Sequence, residues 1–216
     1  MTVPSRSEAA SLLLSLDPPA WHLRHSRAVG EVAGWLAAAA ERAGRPVDRP
    51  LVEAAALLHD VDKILPRNDP ARTLGHGFGS AAWLARRGHP ELEAAVAAHP
   101  VTRLAADAAE QWLGAATPEA RIVAYADKRA KQRLVTMAAR FERWARRRDA
   151  LSPALGGIVW QRAEQLEADV CAWAGTRPEA VGRLRWTNRA IAAARSRSPD
   201  SAAPRRRSRS GSSGSS

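Results

Sequence analysis

The chain has 216 residues, 45% of them apolar, a net charge of +11 and a single cysteine, Cys171. That size allows one domain with a real core plus an appendage, and one cysteine excludes disulfides within the chain, as suits a reducing cytoplasm. Six arginines against one aspartate fall from Arg195 onward, so +5 of the charge sits in a Ser/Arg/Pro-rich tail and +6 is spread among acidic residues of the body. Such a distribution marks a mild preference for anions; nucleic acid as a partner is expected only through the tail.

Ala and Leu dominate the apolar set while β-branched and aromatic residues are few, which favours helix over sheet. Proline and glycine punctuate the chain into expected helices at about 5–16, 20–43, 51–60, 76–87, 90–99, 103–113, 118–133, 136–148, 153–174 and 178–195. No alternating strand pattern occurs, so the fold class is all-α. One helical domain over 1–195 is expected, its core at about 20–145 and further C-terminal helices at about 150–195. Residues 196–216 have a composition that cannot bury enough to fold and read as a disordered basic tail. "SLLLSL" near the start is too short for a signal peptide or membrane span, so no membrane association and a cytoplasmic location are expected.

The chemistry emerges when His and Asp are placed on these helices. Trp21, His25, Val29, Val32 and Leu36 follow one apolar stripe. His59 shares a face with Val52, Ala55 and Ala56, with Asp60 beside it; His76 lines up with Ser80, Trp83 and Leu84; His99 ends a face of Leu92, Ala95 and Val96. Asp127 falls with Ala120, Val123, Ala124 and Ala130. A single inward His is usually a core residue, but four His and two Asp on five helices form a metal-ligand set, since a bare buried charge is costly. Imidazole with carboxylate suits one or two divalent ions such as Fe, Mn, Co, Zn or Mg, and no cysteine lies near for a zinc–thiolate site. His25, His59, Asp60 and Asp127 are expected to hold one ion, and His76 and His99 a second, with Asp60 bridging. Ions roughly 3.5–4 Å apart would activate a hydroxide and clamp a phosphate during in-line displacement. Lys63, one turn after His59, is expected to meet a phosphate oxygen and offset transition-state charge.

The order His25, His59-Asp60, Asp127 resembles the HD superfamily of metal-dependent phosphohydrolases. "HSRAV" around His25, "AAALLHDVDK" ending at Lys63, "HGFGSAAWL" from His76, "AVAAHP" at His99 and "RIVAYADKRAKQR" around Asp127 carry the resemblance over about 20–145. Within the superfamily the chain is similar to small HDIG-type proteins and to the HD-type symmetrical dinucleoside tetraphosphatases. The resemblance implies a helical HD bundle and hydrolysis of a phosphate ester or anhydride, with a small phosphorylated substrate such as a nucleotide or dinucleotide. Asp62 stands where the HDIG pattern has glycine, and the Glu-Pro common after the last aspartate of the tetraphosphatases is missing. Two other functions stay open: a di-iron oxygenase, which the same ligands would serve, and a non-catalytic nucleotide-binding sensor.

Asp62 is a candidate for relaying a proton or orienting a ligand, against a plain salt bridge at a helix end. Arg133, six residues after Asp127, is the best candidate beside Lys63 for phosphate, while Lys128, Arg129 and Lys131 read mainly as a solvated charged face. His22 competes with His25 as a ligand, and His89 reads as exposed. The tryptophans read mainly as core, with Trp83 the candidate wall of a substrate pocket. Cys171 reads as a small core residue.

Overall fold

The computed structural model describes residues 3–146 and 153–185, so the expected tail and residues 186–195 lie outside the described residues, while the helix expected over 178–195 already stops at Gly182. Helix α1 (Arg6–Leu14) opens with a reciprocal cap, Ser5 accepting from the Glu8 amide while Glu8 accepts from the Ser5 amide. The 23-residue α2 (Ala20–Arg42) starts after the two prolines and ends before Gly44, whose φ of 68° closes it in the left-handed region. Asp48 caps α3 (Arg49–Leu58), with Pro50 in its first turn. Two short 3-10 turns, Val61–Lys63 and Pro70–Leu74, lead to α4 (Phe78–Arg86); a third, Pro90–Leu92, leads into α5 (Glu93–Ala97).

The expected helix over 103–113 is two, α6 (Thr102–Ala105) and α7 (Ala109–Ala115). Arg162 donates to the Leu104 and Ala106 carbonyls at 2.9 and 3.3 Å, satisfying groups that the break exposes. Thr117 caps α8 (Pro118–Arg129) and Thr136 caps α9 (Met137–Ala145); α10 (Pro153–Trp173) and the short α11 (Pro178–Gly182) follow. Among the described residues there is no strand, only an isolated bridge between Ala130 and Leu134, and no helix is long and apolar enough to cross a membrane.

The core is the triangle of α2, α3 and α8, with α5 against α3 and α8, α4 on α5, and α10 across α8. Leu36, Leu58 and Val123 are wholly buried there, each worth about 1.5–3 kcal/mol of apolar burial. Alanine and glycine let the helices approach closely: a Cβ on Gly30 of α2 would stand 3.1 Å from the Leu57 side chain of α3. That triangle, closed by α5, surrounds the polar residues picked out above.

Several expected helix boundaries move: the 76–87 helix starts at Phe78, the 90–99 one is a 3-10 turn followed by α5 ending at Ala97, and two further shifts bear on the polar residues. The 51–60 segment stops at Leu58, so Lys63 is carried by a 3-10 turn and not by a continued helix. The 118–133 segment stops at Arg129, and the chain turns through Lys131–Arg133, closed by Lys131 N–H to the Arg133 carbonyl at 2.9 Å. Trp21, expected in the apolar stripe of α2, is 42% exposed, whereas Trp83 is buried and carries the Arg87 guanidinium 4.5 Å above its ring. Trp83 is core, and it walls no cleft at the polar centre.

Candidate metal centre

Four imidazoles and two carboxylates meet inside the helical triangle. His25 comes from α2, His59 from the end of α3, Asp60 from the next residue, His99 from just beyond α5, and Asp127 from α8. Nε2 of His25 lies 3.3 Å from both Asp60 Oδ2 and Asp127 Oδ1, and 3.1 Å from His59 Nε2. His59 Nε2 is 3.5 Å from Asp60 Oδ1 and 3.7 Å from Asp127 Oδ1. On the other side, His76 and His99 place Nε2 at 3.5 and 3.3 Å from Asp60 Oδ1 and 3.0 Å from each other. His25, His59 and Asp60 form one potential three-ligand group, and Asp60, His76 and His99 a second, with Asp60 common to both.

The second ring nitrogens explain why these rings face inward as bases. Nδ1 of His25 donates to the Lys131 carbonyl at 2.8 Å, His59 to Ala56 at 2.8 Å, and His99 to Val96 at 2.6 Å. A carbonyl can only accept, so each Nδ1 holds a ring proton, and in its neutral form the ring turns a lone pair on Nε2 to the centre. His76 does the same through Asp62, whose Oδ2 accepts from its Nδ1 at 2.9 Å. Lone pairs 3.0 and 3.1 Å apart repel unless a cation or a proton stands between them. Asp60 Oδ1, buried without a hydrogen-bond donor, adds to the demand. The donor set, imidazole nitrogen and carboxylate oxygen with no thiolate, fits divalent first-row metals.

Electrostatics tell the same story. Burial alone would depress the His25 imidazole, yet the Asp127 and Asp60 carboxylates push it up to about 9. Burial would raise Asp60 and Asp127, but the surrounding histidines hold both well below the usual carboxylate range. His99, wholly enclosed, is pushed down to about 4 by burial and by its neighbours His59 and His76, which keeps it neutral as a ligand must be.

All six expected metal-ligand residues are brought together, but His76 arrives differently than expected. It precedes α4 on a turn, with 38% of its side chain exposed, and not on a helical face with Ser80 and Trp83. Gly77 holds that turn at φ 83°, where a Cβ would strike the Pro100 ring at 2.6 Å. Asp62 stands behind His76: it also accepts from the Ser80 hydroxyl at 2.8 Å and the Gly77 amide at 3.3 Å, so it orients a ligand and does not touch the centre itself. His22 is likewise a support, donating from Nε2 to the Asp60 carbonyl at 3.0 Å.

A cleft of about 270 Å³ opens over His25 and Asp60. Lys63 lies on its rim with Nζ 2.7 Å from Asp60 Oδ2, and Lys131 and Gln132 line it from the turn after α8. Arg133 does not: because α8 ends at Arg129, Arg133 is exposed outside the cleft. The arginines that do line it are Arg140 and Arg143 of α9, with Trp21 and Trp144 as aromatic walls. Their spacing at 140, 143 and 144 places the α9 residues on one helical face, a signal present in the sequence. Lys128, expected on a solvated face, is wholly buried, donating to the His99 and Ala124 carbonyls at 2.9 and 3.0 Å. Arg129 is buried too, bound to Glu167 at 2.8 Å. His89, expected exposed, is half-buried 3.4 Å from Glu91.

No curated protein and no solved structure matches the chain. The family model described as HD domain matches residues 23–131, a span that contains all six converging ligands. With that match over half of its length and the His/Asp cluster at its centre, the chain belongs to the HD-domain family.

Proposed function

We propose that this protein is a metal-dependent phosphohydrolase that cleaves a phosphate ester or anhydride of a nucleotide or dinucleotide, working with two divalent ions. The observation that carries the reading is the sharing of Asp60 between two His-containing groups whose Nε2 nitrogens face one another across it. His25, His59, Asp60 and Asp127 would hold one ion, and Asp60, His76 and His99 the other. Divalent ions there would polarise a phosphoryl oxygen and acidify water near neutral pH.

The chain's own residues do the rest. The Nδ1 anchors fix each ring, so the ligands pay little reorganisation on loading. Asp60 and Asp127 remain ionised, which supplies two negative charges against the cations. Lys63 Nζ, held against Asp60 and 41% exposed in its side chain, would meet a phosphoryl oxygen and offset charge gathering in the transition state. Half-exposed His76 leaves the second group open to solvent and substrate.

The cationic rim favours this reading over a di-iron oxygenase, whose reaction places no demand for four basic side chains around the cleft. Metal analysis of protein purified without chelator, then phosphate release with Mn, Fe or Co over nucleotides and dinucleoside polyphosphates, tests it. Asp60→Asn is expected to cut turnover by at least about a thousandfold. Undiminished turnover in that variant overturns the reading, an O₂-dependent activity with iron but none with Mn replaces it with oxygenation, and nucleotide binding without turnover under any metal reduces the protein to a sensor.

A further inference from the structure

The cleft has more positive charge than one reacting phosphoryl group needs, and part of it comes from outside the family domain. Arg140, Arg143 and Trp144 lie on α9 and Trp21 at the start of α2, all beyond the 23–131 match. Arg140 is set in place from two sides. Its guanidinium lies 3.5 Å from Asp127 Oδ1 and 4.8 Å above the Trp144 ring. Trp144 in turn packs edge-on against Phe141, ring centres 4.9 Å apart, and Phe141 is buried against Trp160 of α10. An arginine oriented on the cleft wall, with the exposed Arg143 one turn along α9, offers positive charge for an anionic group beside the reacting one.

The two tryptophans differ. One face of Trp144 carries Arg140. Trp21 has a ring neighbour in His22, edge-on at 5.3 Å, and is 42% exposed on the cleft wall. A large indole left open beside a charged site costs apolar exposure that a planar ring can remove by stacking.

We propose that α9 and Trp21 form a recognition element for nucleoside polyphosphates, in which Arg140 and Arg143 take the phosphoryl groups next to the one that reacts and Trp21 stacks the base. This deepens the hydrolase reading and rests on it only for the reaction, not for binding. Arg140 is fixed by Trp144 and Asp127, while Arg143, exposed, supplies a second, adaptable charge. Selectivity thus comes from α9 and the first turn of α2, just outside the family match, while the matched span supplies the ligand cluster.

Titration calorimetry with Mn²⁺ present, using AMP, the β,γ-methylene analogue of ATP and inorganic tripolyphosphate, tests this without requiring turnover. The analogue is expected to bind at least tenfold more tightly than AMP. Arg143→Ala should shrink that preference below threefold. Trp21→Ala should weaken the analogue about tenfold while tripolyphosphate changes less than twofold. Both side chains lie outside the core, and matched circular dichroism and melting curves confirm that the variants fold. If the wild-type protein binds AMP and the analogue within twofold of each other, or if each variant weakens all three probes alike, the proposal is wrong. Selective binding without hydrolysis of any nucleotide would uphold this recognition and overturn the hydrolytic reading alone.

Discussion

The two halves of the centre are built from the same donor types but on different footings. The His25/His59/Asp127 half stands on α2, α3 and α8, with His59 wholly buried and His25 and Asp127 nearly so, and its rings are tied to backbone carbonyls. The His76/His99 half has one buried ring and one on a glycine-hinged turn, half-exposed and oriented by a side chain, Asp62. A ligand held by packed helices keeps its geometry without the ion, while one on a turn must be ordered by it. If both halves take an ion, the first is therefore expected to hold it tightly and the second to exchange it.

The largest effect that would break this contrast comes from the ligands themselves. His25→Ala is expected to remove the tight ion and lower activity by about a thousandfold, whereas His76→Ala leaves one ion per chain by metal analysis and loses about ten- to a hundredfold. Equal losses in the two variants would show that the halves are not distinct. A step smaller, Asp62→Asn keeps the shape but weakens the support of His76. Affinity for the second ion alone should drop by about tenfold, read by competition with a chromophoric chelator.

The smallest effect sharpens the comparison through protons. In the metal-free chain a proton on His25 does part of the cation's work, because Asp127 and Asp60 outweigh burial and push its pKa up to about 9, above its unfolded value of about 6.5. That stabilisation is complete below pH 6.5 and fades as pH rises through 9. Buried Lys128, pushed down to about 8 by burial, works in the opposite direction only above pH 8. Between pH 6.5 and 8 the metal-free protein should therefore lose about 1.4 kcal/mol of stability per pH unit. Denaturant titrations along that window check it, and His25→Gln should flatten the slope. His99, pushed down to about 4, adds nothing to that slope above pH 6.5.

The fold and the helical half of the centre were legible because their signals are local. Prolines, glycines and caps cut the chain near the observed helix ends, and His25 and Asp127 stand in apolar stripes of long helices, where period alone shows the face. His76 reads in the sequence as inward on a helical face with Ser80 and Trp83, but α4 begins only at Phe78 after the Gly77 cap, so His76 reaches the cluster from a turn. Arg133 was misplaced for a similar reason: no proline or glycine marks the end of α8, and a turn of three polar residues ends it. Arg140, Arg143 and Trp144 were missed although their spacing groups them, because a charged helix face reads as solvated until something shows what it faces. The burial of Lys128 has no sequence signal at all; it follows from the crossing of α5 and α8, which brings the His99 carbonyl to its ammonium.

The carbonyl that fixes the His25 ring belongs to Lys131, the last residue of the family match, and its neighbour Gln132 accepts from Arg24 Nε at 3.0 Å. The domain's border is thus stitched back onto its first ligand. A gene trimmed to the matched span would keep every candidate metal donor and the Lys131 carbonyl, yet lose Gln132 and Arg133, the contacts that hold that carbonyl in place, so minimal versions of this domain should begin before residue 23 and run through α9.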